Sequence, residues 1–206
     1  MPVFKIISVK NSVIGIWEMT EETAELEREV LQFLSPKEKE KYNTFKSDTR
    51  RKEWLSIRLL LKKMRGGFGY TPIYYGPTCK PFVEDEFIGI SHSRDFAAII
   101  KSQKGKVAID IERISAKPVK ISSKFVADSE KKIFNISSQK DMTLLWSVKE
   151  TVYKHYGQKE LSFKEQIIVE KLDTNKNEVI VILRNDSFLY VKFEQIKDHF
   201  MTYIAI

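Results

Sequence analysis

The sequence contains one cysteine, Cys79, in 206 residues. A single cysteine cannot form an internal disulfide, so the chain is not a disulfide-stabilised secreted scaffold. Cys79 has no obvious activating neighbour, and we predict an inert thiol rather than a nucleophile. Long apolar runs are also absent, since even residues 57–61 are interrupted by Arg58. A membrane-spanning helix needs about 20 nearly uninterrupted apolar residues, so we predict no membrane segment.

The N-terminal residues 1–17 alternate apolar and polar side chains like a strand. They lack the basic, apolar and small-residue order of a secretory signal, and we therefore predict a cytoplasmic protein. The composition, 42% hydrophobic and 12% aromatic, excludes a disordered chain and is sufficient for the core of one large or two small domains.

Several sequence motifs of known chemistry are missing. The glycines at 66, 67 and 69 follow a helical pattern without the partner residues of a phosphate-binding or dinucleotide-binding loop. No Gly-x-Ser-x-Gly elbow or zinc-finger spacing occurs. The net charge of +7 favours polyanionic partners such as nucleic acid, nucleotides or an acidic protein, and is equally compatible with an ordinary solvated surface.

The local patterns predict helices followed by strands in each half of the chain. Predicted helices cover residues 20–34 with Thr20 as cap, 36–45 with a Ser35–Glu38 capping box, 48–64, and 141–157 with Asp141 as cap. Predicted strands cover residues 87–91, 96–102, 107–112, 179–183, 188–193 and 202–206, with a hairpin turn at 184–187. This order indicates an α+β fold of two tightly packed halves that act as one unit, 1–105 and 106–206.

The segment VAIDIE at residues 107–112 is the first candidate for chemistry. In a strand Ile109 and Ile111 would face a core, while Asp110 and Glu112 would share the opposite face. Paired carboxylates suit Mg²⁺ bound together with phosphates. Taken alone, the two acids fit an ordinary strand with a solvated face at least as well.

Two further segments carry candidate residues. On the helix at 141–157, Glu150 and Lys154 lie four residues apart, as either a surface ion pair worth about 0.3–0.5 kcal/mol or a metal ligand and a phosphate ligand. In ISHS at residues 90–93, Ser91 and His92 end a strand where anionic groups are commonly bound, although a lone histidine in a turn is often merely exposed.

Three ordered motifs, ISHS at 90–93, AIDIE at 108–112 and WSVKETVYK at 146–154, resemble the 4′-phosphopantetheinyl transferases, specifically the large monomeric type that activates surfactin synthetase. The resemblance extends over about residues 33–160. It implies two α+β halves related by a pseudo-twofold axis, with the active site in the cleft between them. The implied reaction moves the phosphopantetheine arm of coenzyme A to a serine of an acidic apo carrier protein, with Mg²⁺, releasing adenosine 3′,5′-bisphosphate.

The resemblance also implies residue roles. It identifies Asp110, Glu112 and Glu150 with the Mg²⁺ ligands, and Glu150 also with the base that activates the serine. It identifies His92, with Ser91 beside it, and Lys154 with contacts to the pyrophosphate. The nucleotide end and its 3′-phosphate would be bound by a set of basic residues: Arg51, Arg58, Lys80 and, as a further candidate, Lys41. A monomer without nucleic-acid or membrane partners is expected.

The sequence departs from the family pattern at Gly89, Ala108, Glu38 and Trp54, which concerns nucleotide contacts more than the reaction class. Phe125 and Glu130 fall in the region that helps to meet the carrier in relatives, whereas core packing explains Phe125 equally well. Three alternatives stay open: another Mg²⁺-dependent enzyme that cleaves nucleotides or pyrophosphates, a basic nucleic-acid-binding module, and an inactive homologue that binds a carrier without modifying it.

Overall fold

Helices and two antiparallel sheets form the part of the chain that the structure describes, which confirms the α+β prediction. The structure is a computed structural model that describes residues 3–67, 69–78, 80–157, 161–184 and 187–206. The predictions for Cys79 and for the centre of the hairpin turn at 184–187 lie outside the described residues. The chain divides into two compact units, one through residue 106 together with Ile206, the other from Val107 to Ala205.

The first unit has a six-stranded sheet and three helices. In chain order its elements are β1 (Val3–Val9), β2 (Ser12–Glu18), α1 (Thr23–Val30), α2 (Pro36–Asn43), α3 (Asp48–Met64), β3 (Tyr74–Tyr75), β4 (Pro81–Val83), β5 (Glu86–His92) and β6 (Phe96–Ser102). The strands lie in the order β1-β2-β6-β5-β4-β3. The buried side chains of α3, among them Leu55, Leu59 and Leu61, pack in the core of this unit.

The second unit has a five-stranded sheet and one long helix. Its elements are β7 (Ala108–Arg113), α4 (Ala116–Lys120), two 3₁₀ turns (Ser122–Lys124 and Ser129–Lys132), α5 (Gln139–Tyr156), β8 (Ile167–Asp173), β9 (Glu178–Leu183), β10 (Ser187–Ile196) and β11 (His199–Ile204). The strands lie in the order β7-β11-β10-β9-β8. Consequently β7, with its two acids, lies at one end of the sheet next to the last strand.

The capping signals in the sequence locate some helix ends and miss others. The Ser35 hydroxyl accepts from the Glu38 N–H at 3.3 Å, and the Glu38 carboxylate accepts from the Ser35 N–H at 3.3 Å, which confirms the predicted capping box. Gly157, with φ of 71°, ends α5 as predicted, because glycine adopts this left-handed conformation without strain.

Two predicted caps are wrong. Helix α5 begins at Gln139 with Ser138 as its cap, and Asp141 is the third helical residue, whose N–H donates to the Ser138 hydroxyl at 3.2 Å. Both residue types are good caps, and the serine three residues earlier takes the position. Helix α1 is shorter than predicted at both ends, since it begins after Glu22 rather than Thr20 and ends at Val30 rather than at residue 34. The predicted N-terminal strand is a hairpin of β1 and β2, and β8 was not predicted.

Candidate functional site

The alternation of β7 places Asp110 and Glu112 on the opposite face from Ile109 and Ile111, as predicted from the sequence. Asp110 is nevertheless buried on that face, since it is only 2% exposed to solvent. The interpretation of an ordinary solvated strand face is therefore wrong for Asp110. A carboxylate withdrawn from water in this way must be satisfied by partners within the protein.

Asp110 is bonded by two side chains of α5. The Ser147 hydroxyl donates to Oδ2 at 2.7 Å, and the Lys154 ammonium donates to Oδ1 at 2.7 Å. Ser147 and Lys154 are seven residues apart, which places them two turns apart on one face of the helix. Lys154 therefore does more than support the helix surface, because it forms an ion pair with the buried strand acid.

The same face of α5 carries a hydroxyl network that sequence reasoning missed. Ser147 Oγ lies 2.9 Å from Thr202 Oγ1 of β11, and Thr151 Oγ1 lies 2.6 Å from the same atom. Thr202 is also the strand partner of Asp110 in the pairing of β11 with β7. The four-residue spacing of Ser147 and Thr151 is the sequence signal that a small polar strip of the helix faces the sheet.

Glu112 receives a hydrogen bond from Trp146 of α5. The indole Nε1–H donates to Glu112 Oε1 at 3.3 Å. The indole itself packs against two aromatic rings, Phe125 at 5.2 Å in an edge-on arrangement and Phe163 at 5.4 Å in a tilted one, measured between ring centroids. Trp146 thus orients Glu112, a candidate metal ligand, while Phe125 and Phe163 hold the Trp146 indole in place.

Three carboxylates of this unit share one electrostatic environment. Burial, and then the charge of Asp110, raise the pKa of Glu112 to about 7, against the opposing effects of the Trp146 hydrogen bond and Lys154. Burial and the charge of Asp110 also raise the pKa of Glu150, while Lys154 and Lys117 lower it. Burial and repulsion from Asp110 thus both disfavour the charged forms of the two glutamates.

The donor set fits a hard divalent cation, because all three candidate ligands are carboxylates. Among the described residues, the oxygens of Asp110, Glu112 and Glu150 do not all lie within 4.8 Å of one another. Binding one ion by all three would therefore need a side-chain rotation, which the flexible glutamates permit. The gain would be relief of the repulsion from Asp110, which adds to burial in raising the two glutamate pKa values.

His92 lies in the first unit, at the end of β5 and beside the start of α3. The Arg50 guanidinium approaches His92 Nε2 at 2.7 Å, and His92 Nδ1 lies 3.3 Å from Glu53 Oε1. Since a guanidinium can only donate, this arrangement makes Nε2 an acceptor and assigns the ring proton to Nδ1. Burial would raise the pKa of Glu53, but His92 and Arg50 lower it overall.

Basic side chains surround Phe45, which follows α2. Arg51 donates through Nε to the Phe45 carbonyl at 3.0 Å. The Lys41 ammonium lies 5.6 Å from the ring centroid, and the Arg50 guanidinium lies 5.7 Å from it. The structure therefore places Lys41 and Arg51 in one basic cluster, to which it adds Arg50, a residue that our list of expected ligands did not include.

Arg58 is buried, at 2% exposure. Its Nε donates to Glu38 at 3.2 Å, its Nη1 donates to the Trp54 carbonyl at 3.2 Å, and its guanidinium stacks 3.2 Å from the centroid of the Trp54 ring. Glu38 also accepts from the Tyr70 hydroxyl at 2.5 Å. These contacts give Arg58 a structural role, and its role as a coenzyme A ligand stays a prediction.

The two remaining candidates lie elsewhere in the first unit. Ser91 is 6% exposed within β5 and pairs with Ala98 of β6. Lys80 is half-buried before β4, and burial together with the charge of Lys106 lowers its pKa. The assignment of Ser91 and Lys80 to coenzyme A stays a prediction.

Comparison with known proteins finds a family model that is similar to residues 106–205. Residues 106–205 match the family model described as ACPS, the 4′-phosphopantetheinyl transferase superfamily. No match was found among the curated proteins. The matched stretch contains Asp110, Glu112, Glu150 and Lys154, so the acidic cluster belongs to the part of the chain that is similar to this superfamily. No helix in the described part of the chain is long and apolar enough to span a membrane.

Proposed function

We propose that this chain transfers the 4′-phosphopantetheine arm of coenzyme A to a serine of an apo carrier protein in a Mg²⁺-dependent reaction that releases adenosine 3′,5′-bisphosphate. The observation that carries the proposal is the cluster of Asp110, Glu112 and Glu150, in which the charge of Asp110 contributes to raising both glutamate pKa values. The family match over residues 106–205 supports transfer of phosphopantetheine as the reaction class. The same proposal includes a monomeric protein of the large type, with two halves that comprise residues 1–105 and 106–206.

Asp110, Glu112 and Glu150 are the residues that would hold Mg²⁺. When bound, the ion would supply positive charge against the pyrophosphate of coenzyme A and so favour attack at its phosphorus. The protein already orients two of these carboxylates, because Ser147 and Lys154 bind Asp110 and Trp146 binds Glu112. Rotation of the glutamate side chains would then bring the three carboxylates onto one ion.

Glu150 is the group that we assign to proton transfer. A carboxylate with an ordinary pKa is a weak base at neutral pH, and a raised pKa brings it closer to the value at which a base is effective. Burial and Asp110 produce that rise in Glu150. In the proposed reaction Glu150 accepts the proton of the carrier serine hydroxyl as that oxygen attacks phosphorus.

Cationic groups would bind the anionic parts of coenzyme A. Lys154 would contact the pyrophosphate, which requires its ammonium to share its bonds between Asp110 and the substrate. His92, with Ser91 beside it, is proposed for the same anion, and the neighbouring Arg50 guanidinium adds a positive charge there. Lys41 and Arg51 near Phe45, together with Lys80 and Arg58, are proposed for the nucleotide end. Acidic carriers would be attracted to the basic protein.

Intact-protein mass spectrometry tests the proposal directly. The chain is incubated with coenzyme A, Mg²⁺ and an apo acyl or peptidyl carrier protein, with and without chelator. We expect a mass gain of one phosphopantetheine group on the carrier, lost with chelator, and at least a hundredfold slower in Asp110→Asn and Glu150→Gln. Asp128→Asn is the matched control, since Asp128 is an exposed acid of the same unit whose carboxylate pairs with Lys131.

The same acidic cluster would also serve a Mg²⁺-dependent enzyme that hydrolyses nucleotides or pyrophosphates. Release of adenosine 3′,5′-bisphosphate from coenzyme A without any carrier, and with no mass gain on any carrier, would favour that function. Absence of coenzyme A binding would contradict the transferase.

A further inference from the structure

Lys149 of α5 is a fully buried lysine next to the proposed base, and the proposed reaction does not use it. Its ammonium donates to three acceptors: the Phe125 carbonyl at 2.8 Å, the Phe163 carbonyl at 2.7 Å and Glu130 Oε2 at 2.8 Å. A lysine ammonium has three donors, so all of them are engaged. Lys149 is therefore tied to one geometry.

Its carboxylate partner is equally constrained. Glu130 is 0% exposed; its Oε2 also accepts from the Ala127 N–H at 2.8 Å, and its Oε1 accepts from the Val169 N–H at 2.8 Å. One ion pair thus joins α5, the segment that precedes it and the start of β8. This excludes Glu130 and the 1% exposed Phe125 as parts of a free surface for a carrier, and supports the core role of Phe125.

The two carbonyls bound by Lys149 belong to the residues whose rings pack against Trp146. Phe125 and Phe163 contact the indole at centroid distances of 5.2 and 5.4 Å. Lys149 follows Trp146 by three residues on the same helix, so both residues lie on neighbouring turns. One ammonium therefore fixes the backbone on both sides of the indole, and the indole N–H donates to Glu112.

A gain in stability does not explain this choice of residues. Burying two charges costs hydration free energy, and replacing such a pair by apolar residues of similar volume is often neutral or stabilising. What apolar side chains cannot do is donate to the two carbonyls that position Phe125 and Phe163. The Lys149 ammonium has the donors that bind both carbonyls.

We propose that Lys149 is a positioning residue, which holds Phe125 and Phe163 so that the Trp146 indole N–H orients Glu112 for cation binding. The inference rests on the proposed function, in which Glu112 is a Mg²⁺ ligand, and it assigns the orientation of that ligand to a residue that touches neither metal nor substrate. Partners that orient metal ligands commonly contribute tenfold to a hundredfold in metal affinity.

The test compares Lys149→Met with Lys140→Met, the same substitution at an exposed position of the same helix. Two readouts are used: calorimetric titration with Mg²⁺ in the absence of substrate, and the ¹⁵N–¹H resonance of the Trp146 indole, assigned with Trp146→Phe. In Lys149→Met we expect at least tenfold weaker Mg²⁺ binding and a shifted indole resonance that exchanges faster with solvent. Lys140→Met should change neither.

Trp146→Phe adds a second arm, because it retains an aromatic ring and removes the N–H. It should weaken Mg²⁺ binding by a similar factor. The double variant Lys149→Met/Trp146→Phe should bind Mg²⁺ as tightly as either single variant does, because both substitutions interrupt the same chain of contacts. Multiplied losses in the double variant would contradict the proposal.

If Lys149→Met is folded, and its indole resonance and Mg²⁺ affinity equal those of the parent chain, Lys149 is only structural and the inference is overturned. If Lys149→Met does not fold, Lys149→Met/Glu130→Met removes both charges together, and the same two readouts decide. Failure of the transferase proposal is separate: the parent chain would bind Mg²⁺ with the expected indole coupling, yet modify no carrier.

Discussion

The half-buried acids of the two units differ in how their charge is compensated. In the first unit Glu86 accepts from the Lys101 ammonium at 2.6 Å and pairs with Arg65, and these cations lower its pKa against the effect of burial. Glu53 is similarly compensated by His92 and Arg50. In the second unit the pKa values of Glu112 and Glu150 are raised.

Burial acts in the same direction on all four glutamates, so the difference comes from their neighbours. The first unit gives each acid cations of its own, whereas in the second unit the acids are near Asp110, whose ammonium partner Lys154 is also the cation that acts on both glutamates. A carboxylate with its own cation is complete within the protein and serves stability. A cluster short of positive charge gains from an added cation, which is the behaviour expected of a metal site.

The largest expected effect on stability is at the most buried pair of the first unit. Arg58→Met leaves Glu38 buried without its guanidinium, and we expect a loss of about 3–5 kcal/mol in the free energy of unfolding. Urea unfolding at pH 7 measures it. Arg58→Met/Glu38→Gln, which removes both charges, should recover part of the loss; equal stabilities of the parent and Arg58→Met would show that this pair is not structural.

The next effect is the pH dependence of stability due to Glu112. Its pKa of about 7 in the folded protein exceeds the ordinary value of 4.5, so the folded state binds more protons between these pH values. The free energy of unfolding should then fall as pH rises from about 4.5 to 7, by up to about 3 kcal/mol in the absence of metal.

Glu112→Gln should remove that fall, and saturating Mg²⁺ should remove it in the parent chain. Thermal or urea unfolding across pH 4.5–8 provides the measurement. A metal-free parent chain whose stability changes with pH over this interval in the same way as that of Glu112→Gln would contradict the raised pKa.

The smallest expected effect is the pH dependence of stability due to Glu86, which has the opposite sign to that of Glu112. Since the folded-state pKa of Glu86 is lowered, its charge stabilises the protein above its ordinary pKa, and that contribution is lost as pH falls through the lowered value. Glu86→Gln should therefore cost about 1–2 kcal/mol at pH 7 and progressively less as pH falls below the ordinary pKa of 4.5. Unfolding curves at pH 3 and pH 7 measure this; a cost that grows at low pH would contradict the assignment.

Local chemistry in the sequence was sufficient to predict much of the framework. The alternation of β7, the capping box at Ser35 and Glu38, and the glycine stop at Gly157 depend on residues close in the chain. The same locality explains the error at the start of α5, where two good capping residues compete within four positions.

Burial of polar residues could not be predicted because it depends on distant partners. Asp110 is satisfied by Ser147 and Lys154, 37 and 44 residues away, and Lys149 by Glu130, 19 residues away. From the sequence, a lysine on a helix or an acid on a strand is typical of a solvated face. The candidate acids could be identified by residue type and order. The electrostatic interaction of Asp110 with Glu150 could not, because it depends on how α5 packs against β7.

The pairing of β7 with β11 has a consequence for biosynthesis. Thr202 is the strand partner of Asp110 and also contacts Ser147, so a strand near the end of the chain completes the surroundings of an acid made some 90 residues earlier. On the ribosome, every proposed metal ligand is synthesised before residue 151, yet Asp110 lacks its neighbouring strand until His199–Ile204 has left the exit tunnel. The nascent chain should therefore gain cation binding only after β11 has emerged and paired with β7.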